Sequence, residues 1–348
     1  MLESIEFTNY KALRKTTLPL RPFTLLLGPN GSGKTSVLQA LRGIAALPPE
    51  FEYGNWAIDT SHWLAARSIT ADRTAIVQTK LRLRLDEKLY LATFQGHSDP
   101  KPLQGTRQLN FEDGGAVPPA QCQRPLTWLF GMRTYALDAT AIAQSSEVSA
   151  GPFQSNGVGL AAVLDDLKDN DDERWRLLLA EMREWLPEYD SIQFDKPQGG
   201  RKSIVLRTKV GQHRIPATEL SQGTLIALAL LTLAYLPNPP TLVAFEEIDR
   251  GLHPRLLRHL QDALYRLSYP ESCGEKRPPI QVIATTHSPY LLDLYRDHPE
   301  EVVLAQKEGL EVQFRRLSDM EHFKEILGDA PLSEVWYSGV LGGVSVKP

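Results

Sequence analysis

The chain has 348 residues, 42% hydrophobic and 23% charged, which is the balance of a globular protein and excludes a disordered or fibrous one. That length predicts one large multi-lobed domain or two intimate ones. Lys and Arg number 38 against 42 Asp and Glu, and the formal net charge of −4 excludes a global pull toward nucleic acid or anionic membrane, so any such binding must be local.

Two cysteines, Cys122 and Cys273, have no CxxC pair or His cluster beside them. Neither a disulfide framework nor a zinc site is expected, and a reducing cytoplasm fits best. The first residues carry Glu3 and Glu6 and alternate like a strand, which is wrong for a secretory signal. The longest apolar run, Thr224 to Leu236, is shorter than the roughly 20 residues a membrane-spanning helix needs, so no membrane partner is expected.

In chain order, Ile5, Phe7, Leu18 and Leu20 predict two short strands joined by Asn9-Tyr10-Lys11. Phe23 to Leu27 reads as a buried strand ending at Gly28, with a helix from about Lys34. Thr74 to Gln95 alternates, most clearly from Lys80 to Leu85, and reads as a half-exposed strand with leucines on one face and bases on the other. Gly96 to Arg124 carries Pro and Gly with little period and reads as a loop or insertion on the sheet's edge. Leu160 to Trp185 predicts two helical pieces around the acidic run 165–173, stopped by Pro187. Ser203 to Lys209 and His213 to Ile215 predict a hairpin, and Gln222 to Leu236 a long apolar helix stopped by Pro237. Thr241 to Phe245 and Ile280 to Thr285 are short apolar runs followed at once by polar residues, as buried strands of a parallel sheet are.

Gly28-Pro29-Asn30-Gly31-Ser32-Gly33-Lys34-Thr35 satisfies GxxxxGK[ST] after a hydrophobic strand and before a helix. Residues without Cβ atoms let such a loop wrap phosphates with its N–H groups, and the helix dipole adds to this. The segment Gly28 to Ser36 is therefore expected to bind a nucleotide, with Lys34 bridging the β- and γ-phosphates and the Thr35 hydroxyl on Mg²⁺, and the family resemblance below makes that nucleotide ATP. Leu242-Val243-Ala244-Phe245 then delivers Glu246 and Glu247 at a strand's carboxyl end, where ligands of such sheets bind. One carboxylate would hold Mg²⁺ and the other would polarise water, because side chains adjacent on a strand diverge. A third strand end supplies His287.

The ordered arrival of these motifs, together with Glu219-Leu220-Ser221-Gln222-Gly223-Thr224 between the first two, resembles the ABC-type ATPases. Ser221 and Gly223 match the Ser and second Gly of their LSGGQ signature, while Gln222 stands for its first Gly and Thr224 for its Gln. Read in isolation, a Ser and a Gly at a helix start are an N-cap and its small neighbour. The turn at Asn9-Tyr10-Lys11 and the segment Gly251-Leu252-His253-Pro254 narrow the likeness to heads of the RecF, SMC and OLD kind, prokaryotic AAA-family ATPases of defence or repair systems.

The resemblance implies one α/β head over residues 1–348, a P-loop NTPase with a mixed-sheet N-terminal lobe (about 1–150), a helical lobe (151–215) and a RecA-like parallel core completed by 216–348. It assigns Glu246 to the metal, in place of the commoner Asp, Glu247 to the catalytic base, and His287 to the γ-phosphate. Ser221, Gln222 and Gly223 would meet the nucleotide of a second copy, giving a homodimer closed on ATP that controls a separate effector protein, a nuclease or a toxin. The interval from Thr35 to Leu220 is too short for long paired coiled-coil arms at about 1.5 Å per residue. The stretch after His287 is expected to be too small for the nuclease domain of OLD proteins.

Direct DNA binding by Lys80, Arg82, Arg84, Arg255 and Arg258 is the alternative, against a reading of these bases as a solvated face. A transporter subunit and a non-hydrolysing ATP scaffold stand behind it. Gln78, Gln95 and Gln144 are candidates for a Mg²⁺-sensing glutamine, and the aromatic, glycine-rich stretch from Ser333 to Gly343 is expected to pack on its own domain rather than dock a partner.

Overall fold

A computed structural model of the chain describes residues 1–47, 75–96, 105–147, 152–196, 200–339 and 341. The strands in chain order are β1 (Leu2–Tyr10), β2 (Leu13–Pro19), β3 (Phe23–Leu27), β4 (Val77–Leu85), β5 (Lys88–Gly96), β6 (Gly105–Phe111), β7 (Arg133–Tyr135), β8 (Tyr189–Asp195), β9 (Ser203–Thr208), β10 (Arg214–Pro216), β11 (Leu242–Phe245), β12 (Gln281–Thr286), β13 (Val302–Glu308) and β14 (Glu311–Arg316). The helices that matter here are α1 (Lys34–Ala45), α2 (Pro119–Phe130), α3 (Leu160–Asn170), α4 (Asp172–Trp185), α5 (Gln222–Ala234) and α6 (Leu256–Ser268). The chain divides into two compact units: Met1–Thr134 with Thr241–Ala244 and Pro279–Pro348, and Tyr135–Pro240 with Phe245–Pro278.

In the first unit, β2-β1-β4-β5-β6 form a sheet that pairs antiparallel throughout. The alternation of β4 puts Leu81 and Leu83 in the core and leaves Arg84 exposed. The span expected to be one strand is a hairpin, because Leu85 pairs with Lys88 across a two-residue turn in which Asp86 (φ 46°) and Glu87 (φ 64°) are both left-handed. That is the geometry of a tight hairpin, here without the Asn or Gly that usually announces it. The stretch from Gly96 to Arg124, expected to be irregular, is also partly regular: β6 pairs with β5 at the sheet's edge, and α2 begins at Pro119, which tolerates a helix's first position. Residues 97–104 of that stretch lie outside the described residues.

The six-stranded sheet has the order β14-β13-β3-β12-β11-β7, with β13, β3 and β12 mutually parallel and β14 returning antiparallel to β13. All five residues of β3 and all six of β12 are buried, as strands covered on both faces require. Val37, Leu41 and Ile44 of α1 and Leu126 and Leu129 of α2 share one core with Leu26, Ile283 and Val303. The side chain of Gln281 staples the sheet's inner edge by accepting from Leu2 N–H at 2.8 Å and donating to Leu2 O at 2.7 Å. At the carboxyl-terminal end Leu332–Tyr337 forms a helix with Trp336 buried and Tyr337 exposed, while Val340, Gly342 and Gly343 lie outside the described residues.

The second unit is mainly helical, with the antiparallel sheet β10-β9-β8. Asp171 separates the two acidic helices, and its carboxylate caps α4 by accepting from Arg174 N–H at 3.1 Å. Every residue of α5 from Gly223 to Leu233 is buried, which is why the helix is apolar all round. Thr232, the polar exception in mid-helix, donates its hydroxyl to Leu228 O at 2.7 Å. Among the described residues no helix is long and apolar enough to cross a membrane.

Candidate functional site

The strand–loop–helix at Gly28 lies wholly in the first unit. β3 delivers Gly28 beside β13, and a Cβ on Gly28 would meet the backbone oxygen of Ala305 at 2.5 Å, so only glycine fits. Gly31 (φ 77°) and Gly33 (φ 87°) are left-handed, the conformation on which anion-cradling loops of this kind depend. Gly33 also approaches Leu13, with 2.7 Å from a built Cβ to that leucine's Cδ2. Lys34 is buried, and its ammonium donates to Gly28 O at 2.6 Å and Pro29 O at 3.0 Å. Asn30, Gly31 and Thr35 are exposed, Ser36 is half-buried and Ser32 is buried.

No side chain caps α1 and no acidic residue sits in its first turn, so the positive end of the helix dipole is left for a ligand's oxygens. Together with the two left-handed glycines this fits a polyphosphate. Among the described residues no group of three or more His, Cys, Asp or Glu could hold a metal alone. A divalent cation here would draw on phosphate oxygens besides a hydroxyl and a carboxylate, as Mg²⁺ commonly does.

The register of β12 against β3 pairs Thr286 with Leu27, so the chain leaves both strands together, at His287 on one and Gly28 on the other. His287 is exposed between a buried strand and a capped turn: Thr286 Oγ1 accepts from Ser288 N–H at 2.9 Å, and Ser288 Oγ accepts from Leu291 N–H at 3.3 Å.

The other expected site residues belong to the second unit. Strand β11 ends at Phe245, and Glu246 N–H donates to Tyr135 O at 2.8 Å. Glu247 has φ 47°, so strand alternation does not govern the acidic pair as expected; a left-handed turn at Glu247 does. That turn continues with Arg250 N–H on Glu247 O at 2.9 Å and Leu252 N–H on Asp249 O at 3.0 Å. Sequence reading missed Arg250, whose guanidinium lies 3.9 Å from the Glu247 carboxylate; the spacing of three residues across a turn was the available signal.

Ser221 caps α5, its Oγ accepting from Thr224 N–H at 3.1 Å. Ser221 and Gln222 are exposed and Gly223 is buried. A Cβ on Gly223 would meet Gly251 O at 2.6 Å, and one on Gly251 (φ 76°) would meet Gln222 Cδ at 2.8 Å. The Ser221–Gly223 segment and the turn that begins at Glu247 are thus packed backbone on backbone, glycine against glycine.

Three of the five alternative bases are engaged in ion pairs. Arg82 pairs with Glu112, Arg84 with Glu3, and Arg255 with Glu188 at 3.4 Å. Gln78 and Gln95 are bonded to each other across β4 and β5 at 3.0 Å, and Gln144 is exposed after the short helix Ala139–Ile142.

Residues 142–293 match a family model described as "AAA domain, putative AbiEii toxin, Type IV TA system", and residues 1–94 match one described as "AAA ATPase domain". A stretch of 41 residues is 44% identical to an OLD nuclease of Thermus scotoductus; it covers 12% of this chain and spans only 8% of that protein's length. A crystal structure of the SMC head bound to the C-winged helix domain of ScpA superposes with a TM-score of 0.62 at 15% identity, over 93% of this chain and 99% of that one.

Proposed function

The chain is a P-loop ATPase-family protein of the ABC, SMC and OLD-like kind, and we propose that it binds ATP with Mg²⁺ and hydrolyses it to ADP and phosphate. The observation that carries the proposal is the loop itself: two left-handed glycines, a lysine ammonium turned in among the loop carbonyls, and a helix start that no side chain caps. In this reading Gly28 to Ser36 hold the phosphates, with Lys34 on the β- and γ-phosphates. Thr35 and Glu246 hold Mg²⁺, which when bound offsets phosphate charge. Glu247 accepts a proton from the attacking water, and His287 donates to the γ-phosphate.

Ser221, Gln222 and Gly223 serve the nucleotide of a second copy, so the active form is a dimer closed on two ATP molecules. Opening after hydrolysis biases a separate effector, of nuclease or toxin class, in defence or repair. Support for a partner comes from the related SMC head, bound as it is by a domain of another protein.

The test is phosphate release by the purified full chain with ATP and Mg²⁺, alone and with DNA. Lys34→Ala should abolish it with loss of nucleotide binding. Glu247→Gln should lower turnover by at least about 10²-fold with binding retained, as loss of a proton acceptor does. A wild-type chain that neither binds nor hydrolyses ATP sinks the proposal.

A further inference from the structure

Arg250 holds Glu247 from two sides, wholly within the second unit. Its N–H donates to Glu247 O at 2.9 Å, which closes the turn, and its guanidinium Nη1 lies 3.9 Å from Glu247 Oε2. Among the described residues this is the guanidinium's one ion pair; Arg255, the next arginine, faces Glu188 instead. The backbone beneath Arg250 is fixed from its other end too. Leu252 N–H is bonded to Asp249 O at 3.0 Å, and Gly251 (φ 76°) is packed against Gln222 and Gly223.

We propose that Arg250 is a positioning residue, whose guanidinium holds the Glu247 carboxylate in the orientation from which it takes the proton of the attacking water. The inference rests on the reading of Glu247 as the proton acceptor.

Glu247 stands in a left-handed turn, so strand alternation does not aim its side chain, and the rotatable bonds of a glutamate leave the carboxylate many directions. A proton acceptor works only within about 2.6–3.2 Å of the oxygen whose proton it takes. A carboxylate accepts through two oxygens, so a cation drawn to Oε2 sets the plane of the group while the water's proton goes to Oε1. Exposed ion pairs are weak, because water screens them and two long side chains must be ordered. This one starts from a backbone already fixed at both partners. At 3.9 Å a small rotation of either side chain makes a direct bond, and the attraction rises as a closing site excludes water.

The experiment measures kcat, KM and fluorescent-ATP affinity of the full chain for Arg250→Ala, Arg250→Lys, Glu247→Gln and Arg250→Ala combined with Glu247→Gln, the slow variants being followed in single turnover. Arg250→Ala should lower kcat about three- to fivefold with KM and nucleotide affinity unchanged, the upper range that an exposed ion pair supports. Arg250→Lys, which keeps the charge, should recover most of that loss. In the Glu247→Gln chain no anionic acceptor remains to be aimed, and Arg250→Ala should have no further effect. Wild-type kcat in Arg250→Ala beside a loss in Glu247→Gln overturns the positioning role and keeps the proton-acceptor reading. Wild-type kcat in Glu247→Gln overturns both. An equal fold loss in the two backgrounds overturns the role as well, because the guanidinium then acts on something other than Glu247, such as a phosphate; so does a raised kcat, or a raised KM with kcat unchanged. If Arg250→Ala fails to fold, Arg250→Gln decides, and wild-type turnover there is the overturning result.

Discussion

Replacing Gly223 by Ala sets two effects of opposite sign against each other. Gly223 is the second residue of a helix, and at an open helical position Gly→Ala stabilises by about 0.5–1 kcal/mol, because glycine loses the most backbone freedom on folding. Here the added methyl would lie 2.6 Å from Gly251 O, inside any normal carbon–oxygen contact. The oxygen belongs to backbone and cannot rotate aside, and its turn is tied by the Arg250 and Leu252 N–H bonds. Forcing one methyl into such a contact costs about 1–3 kcal/mol. The clash outweighs the propensity gain, and the expected net loss is about 1 kcal/mol, read as a lowered urea midpoint at unchanged slope. Because the displaced carbonyl lies in the turn that begins at Glu247, turnover should fall further than stability does. A variant stabilised by about 0.5–1 kcal/mol with unchanged turnover would refute the reasoning, since it would mean that the two glycines are not in contact.

Asp165 and Lys202 form a nearly buried ion pair at 2.5 Å in the second unit; Asp165→Ala should cost about 3–5 kcal/mol by stranding the ammonium, and Asp165→Leu with Lys202→Met should recover most of it in the same urea titration. The Arg207 guanidinium, bonded to Asp190 at 2.9 and 3.0 Å, holds that carboxyl below its usual range. A depressed folded pKa contributes stability that is present above the ordinary carboxylate range and lost as pH falls through the lowered value, so Asp190→Asn should flatten the acid limb of unfolding midpoints measured downward from pH 7. Glu247→Gly and Glu247→Ala remove the same carboxylate and should both end hydrolysis. At φ 47° the Gly variant should be the more stable of the two by about 1 kcal/mol, whereas at an ordinary φ it would be the less stable.

The parts of the fold legible in the sequence were those specified within one element. β3, α5, β11 and β12 each bury nearly every residue, so uninterrupted apolar runs between polar stops were sufficient. The Asp86–Glu87 turn was not legible, because its left-handed backbone is imposed by the register of Leu85 on Lys88 and not by glycine or asparagine. β6 and β7 were missed for a related reason: the first has mixed polarity and the second three residues, and both are strands because a neighbour supplies the ladder. At the candidate site, residue types were readable from the motifs but the backbone beneath them was not. Nothing local marks Glu247 as left-handed or brings Gly251 against Gly223.

The two helix starts singled out by the motifs differ in what they leave open to an anion. α1 opens on a left-handed glycine with no side chain over its first turn, so its backbone N–H groups and dipole act directly on whatever anion the loop encloses. α5 opens on Ser221, which already takes the Thr224 N–H for itself. A phosphate brought to α5 therefore loses that backbone donor and depends on the Ser221 hydroxyl, with Gln222 and Gly223 supplying the remaining N–H groups. One hydroxyl proton is a smaller and more directional contribution than an open helix turn.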